Sequence, residues 1–153
     1  MNLLLWRHAQ AELSLDCVCD FQRKLTSLGE KQAKRMARWL DRQLPQGTQI
    51  LVSPAVRAEQ TAKALGRPYK LCTELAPDAS VEQLHELVQW PRKKGHLLLV
   101  GHQPALGQFM ADLLGVEADI CTMKKGAVWW LRCREHDLKK QTVLLTIQTP
   151  ETL

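Results

Sequence analysis

The sequence predicts a layered α/β fold. Three observations lead to it: short apolar runs rich in Leu and Val, amphipathic stretches of helical period between them, and Ser, Pro or Gly at their junctions. Residues 3–6 are the first run and read as a strand buried on both faces, because no polar residue interrupts them. Over residues 26–44, Ala33, Met36, Ala37, Leu40 and Leu44 recur at helical spacing among lysines and arginines, until Pro45 and Gly47 end the stretch. That pattern is an amphipathic helix. Residues 49–52 give a second short strand, and Ser53-Pro54 behind it offers an N-cap hydroxyl followed by a proline at the first position of a helix reaching residue 65. Residues 69–72 are a candidate third strand. Ser80 and Gln83 have the spacing of a capping box and open a helix toward Gln89. Residues 97–100, between Gly95 and Gly101, are the most strand-like run. Pro104 then starts a helix carrying Leu106, Met110, Leu113 and Leu114, which Gly115 stops. Residues 127–133 and 141–148 are rich in Val, Trp, Thr and Ile around a polar connection, the pattern of an antiparallel pair at one edge of the sheet.

The 153 residues contain no repeat, low-complexity tract or linker, so a single domain over residues 1–153 is expected. With 45% apolar and 24% charged residues the chain is too apolar for disorder, and no run nears the roughly 20 apolar residues that a membrane helix needs. No membrane partner is expected. Cys17, Cys19, Cys72, Cys121 and Cys133 lack paired zinc spacing and read as free thiols in a reducing compartment. Cys17 and Cys19 with His8 would make three metal ligands without a fourth. The N-terminal apolar run is too short for a signal peptide, which makes the cytoplasm the expected location. A net charge of +5 favours anionic partners, but it is spread without a block of five like charges, and Arg92-Lys93-Lys94 reads as solvated. Trp39, Trp90, Trp129 and Trp130, with one Tyr and two Phe in the chain, read as core aromatics and not as a base-stacking platform. Nucleic acid is not an expected partner.

Open α/β sheets bind ligands at the C-terminal ends of their strands. Arg7-His8 follows the first strand, Ser53-Pro54-Ala55-Val56-Arg57 the second, and Gly101-His102-Gln103-Pro104 the strand at residues 97–100. Two histidines and two arginines thus fall in one crevice. Arg57 lies within the first turn of a helix and His102 just before another, beside N-termini that favour an anion. Guanidinium forks match phosphate oxygens, and a neutral imidazole can attack phosphorus. The chemistry suggested is phosphoryl transfer through histidine.

Four motifs also carry a resemblance. Leu5-Trp6-Arg7-His8-Ala9, Leu25-Thr26-Ser27-Leu28-Gly29, Ser53-Pro54-Ala55-Val56-Arg57-Ala58-Glu59-Gln60-Thr61 and Val100-Gly101-His102-Gln103-Pro104 are similar in order and separation to the signature of the histidine phosphatase superfamily. The short chain with its final hairpin most resembles the small SixA-type phosphohistidine phosphatases. The resemblance implies a phosphoglycerate mutase-like fold, in which a mostly parallel sheet lies between helices as a three-layer α/β/α sandwich with a C-terminal antiparallel hairpin. It implies His8 as nucleophile, phosphate binding by Arg7, Arg57 and His102, and neither metal nor cofactor. His8 would attack phosphorus in line, water would hydrolyse the resulting phosphohistidine, and the arginines with a protonated His102 would hold the equatorial oxygens. Glu74, with a raised pKa, is the candidate proton donor by order in the chain, and Arg23 a candidate substrate contact. Two positions depart from the family: Ala9 stands where glycine is usual, and Gln10 where SixA-like proteins often carry an acid. The expected substrate is a phosphorylated histidine-containing protein. A small phosphate ester is the alternative, and a non-catalytic phosphate- or phosphoprotein-binding module is the reading from another class. His85, His96 and His136 have no such context and are expected to be structural or exposed.

Overall fold

The computed structural model of the chain describes residues 1–14, 19–136 and 139–153, His136 by its backbone only. Cys17, part of the three-ligand reading, lies outside the described residues. The strands are β1 (Asn2–Arg7), β2 (Gln49–Val52), β3 (Lys70–Leu71), β4 (His96–Gly101), β5 (Val128–His136) and β6 (Lys139–Gln148). They form one sheet in the order β3-β2-β4-β1-β5-β6, with the first four parallel and the last two added antiparallel. The helices are α1 (Ser27–Gln43), α2 (Val56–Lys63), α3 (Val81–Val88) and α4 (Ala105–Leu114).

Side chains alternate between the faces of a strand, and β1 shows what that does here. Leu4 and Trp6 pack with Met36 and Leu40 of α1 and Ala58 and Ala62 of α2, whereas Leu3 and Leu5 pack with Leu84 and Val88 of α3 and Phe109 and Met110 of α4. The sheet is therefore covered by two helices on each face, the three-layer α/β/α sandwich expected. All four β1 side chains are fully buried, each leucine contributing on the order of 1.5–3 kcal/mol. Trp6 Nε1 donates to the Gly126 carbonyl at 3.0 Å and Trp130 Nε1 to Asn2 Oδ1 at 3.0 Å, so these indoles are satisfied parts of the core.

The capping box forms as the sequence predicts: Ser80 Oγ accepts from Gln83 N at 3.2 Å and the Gln83 side chain accepts from Ser80 N at 2.8 Å. Two other helix starts differ. Residue Ala55, with no side-chain bond, is the N-cap of α2, because the Ser53 hydroxyl is engaged with His102 and accepts from Ala55 N. Pro104 is the N-cap of α4, not its first residue. The edge strand β3 has two exposed residues where four were expected, as suits an edge that must not recruit another chain. Among the described residues no helix is long and apolar enough to cross a membrane.

The register positions the site. Arg7 pairs with Gly101 across β1 and β4, and Val52 with Val100 across β2 and β4. The next residues, His8, His102 and Ser53, therefore leave three adjacent strands at the same edge. His8 N donates to the Gly101 carbonyl at 3.1 Å and Ser53 N to the Val100 carbonyl at 2.9 Å.

Candidate active site

At that edge the His8 and His102 rings lie with centroids 5.0 Å apart, tilted by 53°. Both rings are buried, at 6% and 5% exposure, and Arg57 is at 3%. His8 Nδ1 lies 2.8 Å from the Ala9 carbonyl oxygen, which can only accept. The hydrogen bond thus assigns the proton to Nδ1 and leaves the lone pair on Nε2. Burial, partly offset by that bond and reinforced by Arg57, Arg7 and Arg23, pushes the His8 pKa down to about 3. Burial, then His8 and Arg57, does the same to His102, also to about 3. His8 is a neutral imidazole with a nucleophilic nitrogen. Without an anion, burial and the neighbouring His8 and Arg57 disfavour the protonated His102 that the sequence reading pairs with phosphate; an anion between them would act in the opposite direction.

His102 Nε2 is 2.7 Å from Ser53 Oγ. Ser53 Oγ accepts from Ala55 N at 3.2 Å and keeps both its proton and a lone pair for the ring; where it gives the proton to Nε2, the His102 hydrogen stands on Nδ1. That atom is buried without a partner. So are Arg7 Nε and Arg57 Nε, although Arg7 Nη1 donates to the Met123 carbonyl at 2.6 Å and Arg57 Nη1 to the Asp20 carbonyl at 2.7 Å. Buried donors are nearly always satisfied, and an orphan costs about 1–3 kcal/mol. Arg7 Nε and Arg57 Nε, with His102 Nδ1 where it carries the hydrogen, are thus unpartnered on the three residues expected to bind phosphate, and an oxyanion would satisfy them.

A sequence model of the Histidine phosphatase superfamily (branch 1) matches residues 3–87. The chain belongs to this superfamily. It is 32% identical over 121 residues to the phosphohistidine phosphatase SixA of Escherichia coli (strain K12), covering 74% of this chain and 74% of that protein. It is 29% identical over 130 residues to the SixA homologue of Haemophilus influenzae, covering 75% and 78%. The solved structure of the protein histidine phosphatase SixA complexed with tungstate superposes with a TM-score of 0.81 at 25% identity, covering 99% of each chain. The protein is a SixA-like histidine phosphatase by family, and so a hydrolase.

The two departures from the histidine phosphatase pattern have local explanations. Ala9 is not among the residues of positive φ, so alanine meets no backbone penalty there, and its N–H donates to Thr61 Oγ1 at 3.1 Å. Gln10 faces α1: its Oε1 accepts from Thr26 Oγ1 at 2.7 Å, and its N–H donates to Gln32 Oε1 at 2.9 Å. Gly29 completes the joint, since a Cβ there would run into the Gln10 carbonyl.

Sequence reasoning missed two residues. Ser53, read as a helix cap, is the partner of His102. Asp20 arrives on a short 3-10 turn and lays its carboxylate between two arginines: Arg57 Nη2 donates to Oδ2 at 2.9 Å, and Arg23 Nε to Oδ1 at 2.9 Å. Burial works to raise the Asp20 carboxyl, but Arg57 and Arg23 outweigh it and hold it below the usual range. Arg23 thereby joins the cluster through Asp20, while its Nη1 donates to the Glu12 carbonyl at 2.7 Å. Glu74 does not fit the donor role. It accepts from Cys72 Sγ at 3.0 Å and Thr73 Oγ1 at 3.2 Å, and the Cys72 bond first of all lowers its pKa instead of raising it. It also follows β3, three strand spacings or roughly 14 Å from β1. His85 pairs with Asp112 at 2.9 Å on the surface and His96 with Asn2 at 2.7 Å, both away from the site.

Proposed function

We propose that this single-domain protein removes the phosphoryl group from phosphohistidine on a cytoplasmic protein, through a covalent intermediate on His8. The observation that carries the reading is the free Nε2 lone pair of a neutral His8 beside the unpartnered Arg7 Nε, Arg57 Nε and His102 Nδ1. In the first step the Nε2 lone pair forms a bond to phosphorus as the substrate's nitrogen–phosphorus bond breaks. The substrate ring, protonated on its remote nitrogen, departs as neutral imidazole. In the second step water attacks, its proton passes to solvent, orthophosphate leaves, and His8 returns with its hydrogen still on Nδ1 against the Ala9 carbonyl. Positioned donors stabilise the equatorial oxygens in both steps.

The leaving group favours phosphohistidine over an ester. The carboxyls that the site and the sequence put forward, Asp20 and Glu74, are both held below their usual pKa and are poor acids near pH 7. A departing imidazole, with a pKa of about 6.5, brings its own proton near neutrality. An alcohol needs one delivered. The close relatives named for phosphohistidine support the same substrate class.

The test compares a phosphohistidine protein with a phosphoserine protein and an aryl phosphate, metal chelated throughout, for wild type and His8→Ala. The expected result is fastest release of phosphate from phosphohistidine, slow release from the aryl ester, and none in His8→Ala. Faster turnover of the phosphoserine protein, or turnover that survives His8→Ala, overturns the proposal.

A further inference from the structure

The outer side of α1 carries an unusual row of charges. Lys31, Arg35, Arg38 and Arg42 follow Leu28 at alternating spacings of three and four, so the five residues form one stripe along the helix. All five are exposed. Among the described residues none of the four cations makes a salt bridge or a side-chain hydrogen bond, and the nearby Asp41 is committed to Arg67 at 2.8 Å. Lys31 with Arg35 and Arg38 with Arg42 are like charges four apart, an arrangement that destabilises a helix. A merely solvated face alternates its signs; this one gives up stability for a field of one sign.

The stripe borders a furrow. On one side Leu28, Lys31, Gln32 and Arg35 face Pro150 and Glu151 of the C-terminal 3-10 turn (Pro150–Thr152) across a groove of about 360 Å³. Further along, Arg35, Arg38, Trp39 and Arg42 face Leu153 across one of about 370 Å³. Arg35 lines both, and Glu151 is the one acidic side chain among the residues lining either. One backbone link ties this end of the furrow to the residue after β1. Gly126 donates its N–H to the His8 carbonyl at 3.0 Å, and a Cβ on it would stand 2.8 Å from Pro150 Cγ and 3.7 Å from Gln32 Cβ. From Leu28 to Arg42 the helix rises on the order of 20 Å.

Resting on the phosphohistidine reading above, we propose that this furrow docks an acidic segment flanking the phosphohistidine of the substrate protein. Its cations face carboxylates while exposed Leu28 and the half-buried Trp39 edge accept apolar side chains, and the phosphoryl group is delivered to His8. The apolar members favour a polypeptide over nucleic acid. Trp39, moreover, packs edge-on against Trp130 at 6.3 Å as part of the core margin, not as an open stacking face.

The experiment uses two histidine-phosphorylated peptides, one flanked by Asp and Glu, the other by Asn and Gln, with an aryl phosphate as reference. Enzymes are wild type, Lys31→Glu/Arg35→Glu/Arg38→Glu, and the milder Arg35→Gln/Arg38→Gln. Wild type should prefer the acidic peptide by about tenfold in kcat/KM, and the triple variant should lose that preference while its aryl phosphate turnover stays within about twofold. No preference in wild type, an unchanged preference in the triple variant, or a parallel loss on the aryl phosphate overturns the proposal. If neither peptide is hydrolysed, the phosphohistidine reading falls, and fluorescence anisotropy of the unphosphorylated acidic peptide decides the furrow separately: binding weakened in both variants upholds it, and no binding ends it. A single-stranded RNA that displaces the acidic peptide at lower concentration overturns the choice of partner.

Discussion

Two groups of cations sit on either side of the joint between Gln10 and α1, and they are built differently. Arg57 is buried and Arg7 half-buried, each with its guanidinium held by a protein oxygen, Met123 O for Arg7 and Asp20 for Arg57. Lys31, Arg35, Arg38 and Arg42 on α1 stand in solvent with no partner among the described residues. A charge taken out of water is expensive, so the fold anchors it, and it then acts at hydrogen-bond range on a fixed ligand geometry. An exposed charge is cheap, mobile and screened beyond roughly 8–10 Å at ordinary salt, so it acts as a field on a loosely defined surface. The first group suits transition-state stabilisation. The second suits recruitment.

Removing a pocket arginine gives the largest expected effect. Arg57→Ala or Arg7→Ala should lower kcat/KM by about 10³ or more on every substrate, peptide or aryl phosphate, by the measure of positioned arginines in phosphoryl transfer. Lysine should not rescue either, because it lacks the planar fork. Steady-state kinetics on both substrates would break the comparison if the loss were confined to peptides.

The next effect is on stability. His8 and His102 are held near pKa 3, against about 6.5 in an unfolded chain. Between those values the unfolded state binds more protons than the native state, so stability rises with pH through the window and falls as pH drops from about 6.5 toward 3. Asp20, whose pKa is also lowered, adds a loss in the same direction, at pH values below the ordinary Asp pKa. Thermal midpoints should decline between pH 6.5 and 4.5, and His102→Asn should flatten that decline. A flat wild-type profile would contradict the buried, neutral histidines.

Asp20→Ala should lower kcat/KM by about tenfold, the scale of one charge-assisted hydrogen bond, since Arg57 and Arg23 lose their shared anchor. An increase would mean that Asp20 competes with phosphate instead of orienting Arg57. Raising salt from low to high should reduce turnover of an acidic phosphohistidine peptide severalfold while sparing the aryl phosphate, which separates the exposed cations from the anchored ones. The smallest effect is expected from Ala9→Gly. The native φ already suits alanine, so activity should stay within about twofold and stability should drop by about 0.4–1 kcal/mol through the unfolded chain.

The core of the fold was legible because β1 and β4 bury both faces and so read as unbroken apolar runs, while α1 keeps its apolar residues on one stripe. The candidate site residues Arg7, His8, Arg57 and His102 were legible for a related reason: each stands at the end of a strand or a few positions past it, where this class of sheet gathers its chemistry. What escaped depends on contacts between distant segments. Ser53 looks like a helix cap in sequence, and only the neighbouring strand reveals that its hydroxyl serves His102. Asp20 carries no periodic signal and reaches Arg57 by a tertiary contact. The charge state of Glu74 was misjudged because a pKa follows from neighbours, here the Cys72 thiol that lowers it.

His8 Nε2 is the atom proposed to take the phosphoryl group. Rapid quenching of wild-type enzyme with a phosphohistidine protein, followed by peptide mass spectrometry and ³¹P NMR of the trapped species, tests it directly. The expected result is an acid-labile, base-stable phosphate on His8, attached at Nε2 and absent in His8→Ala. Phosphate on another residue or at Nδ1, or rapid turnover with no phosphoenzyme at any quench time, would contradict it.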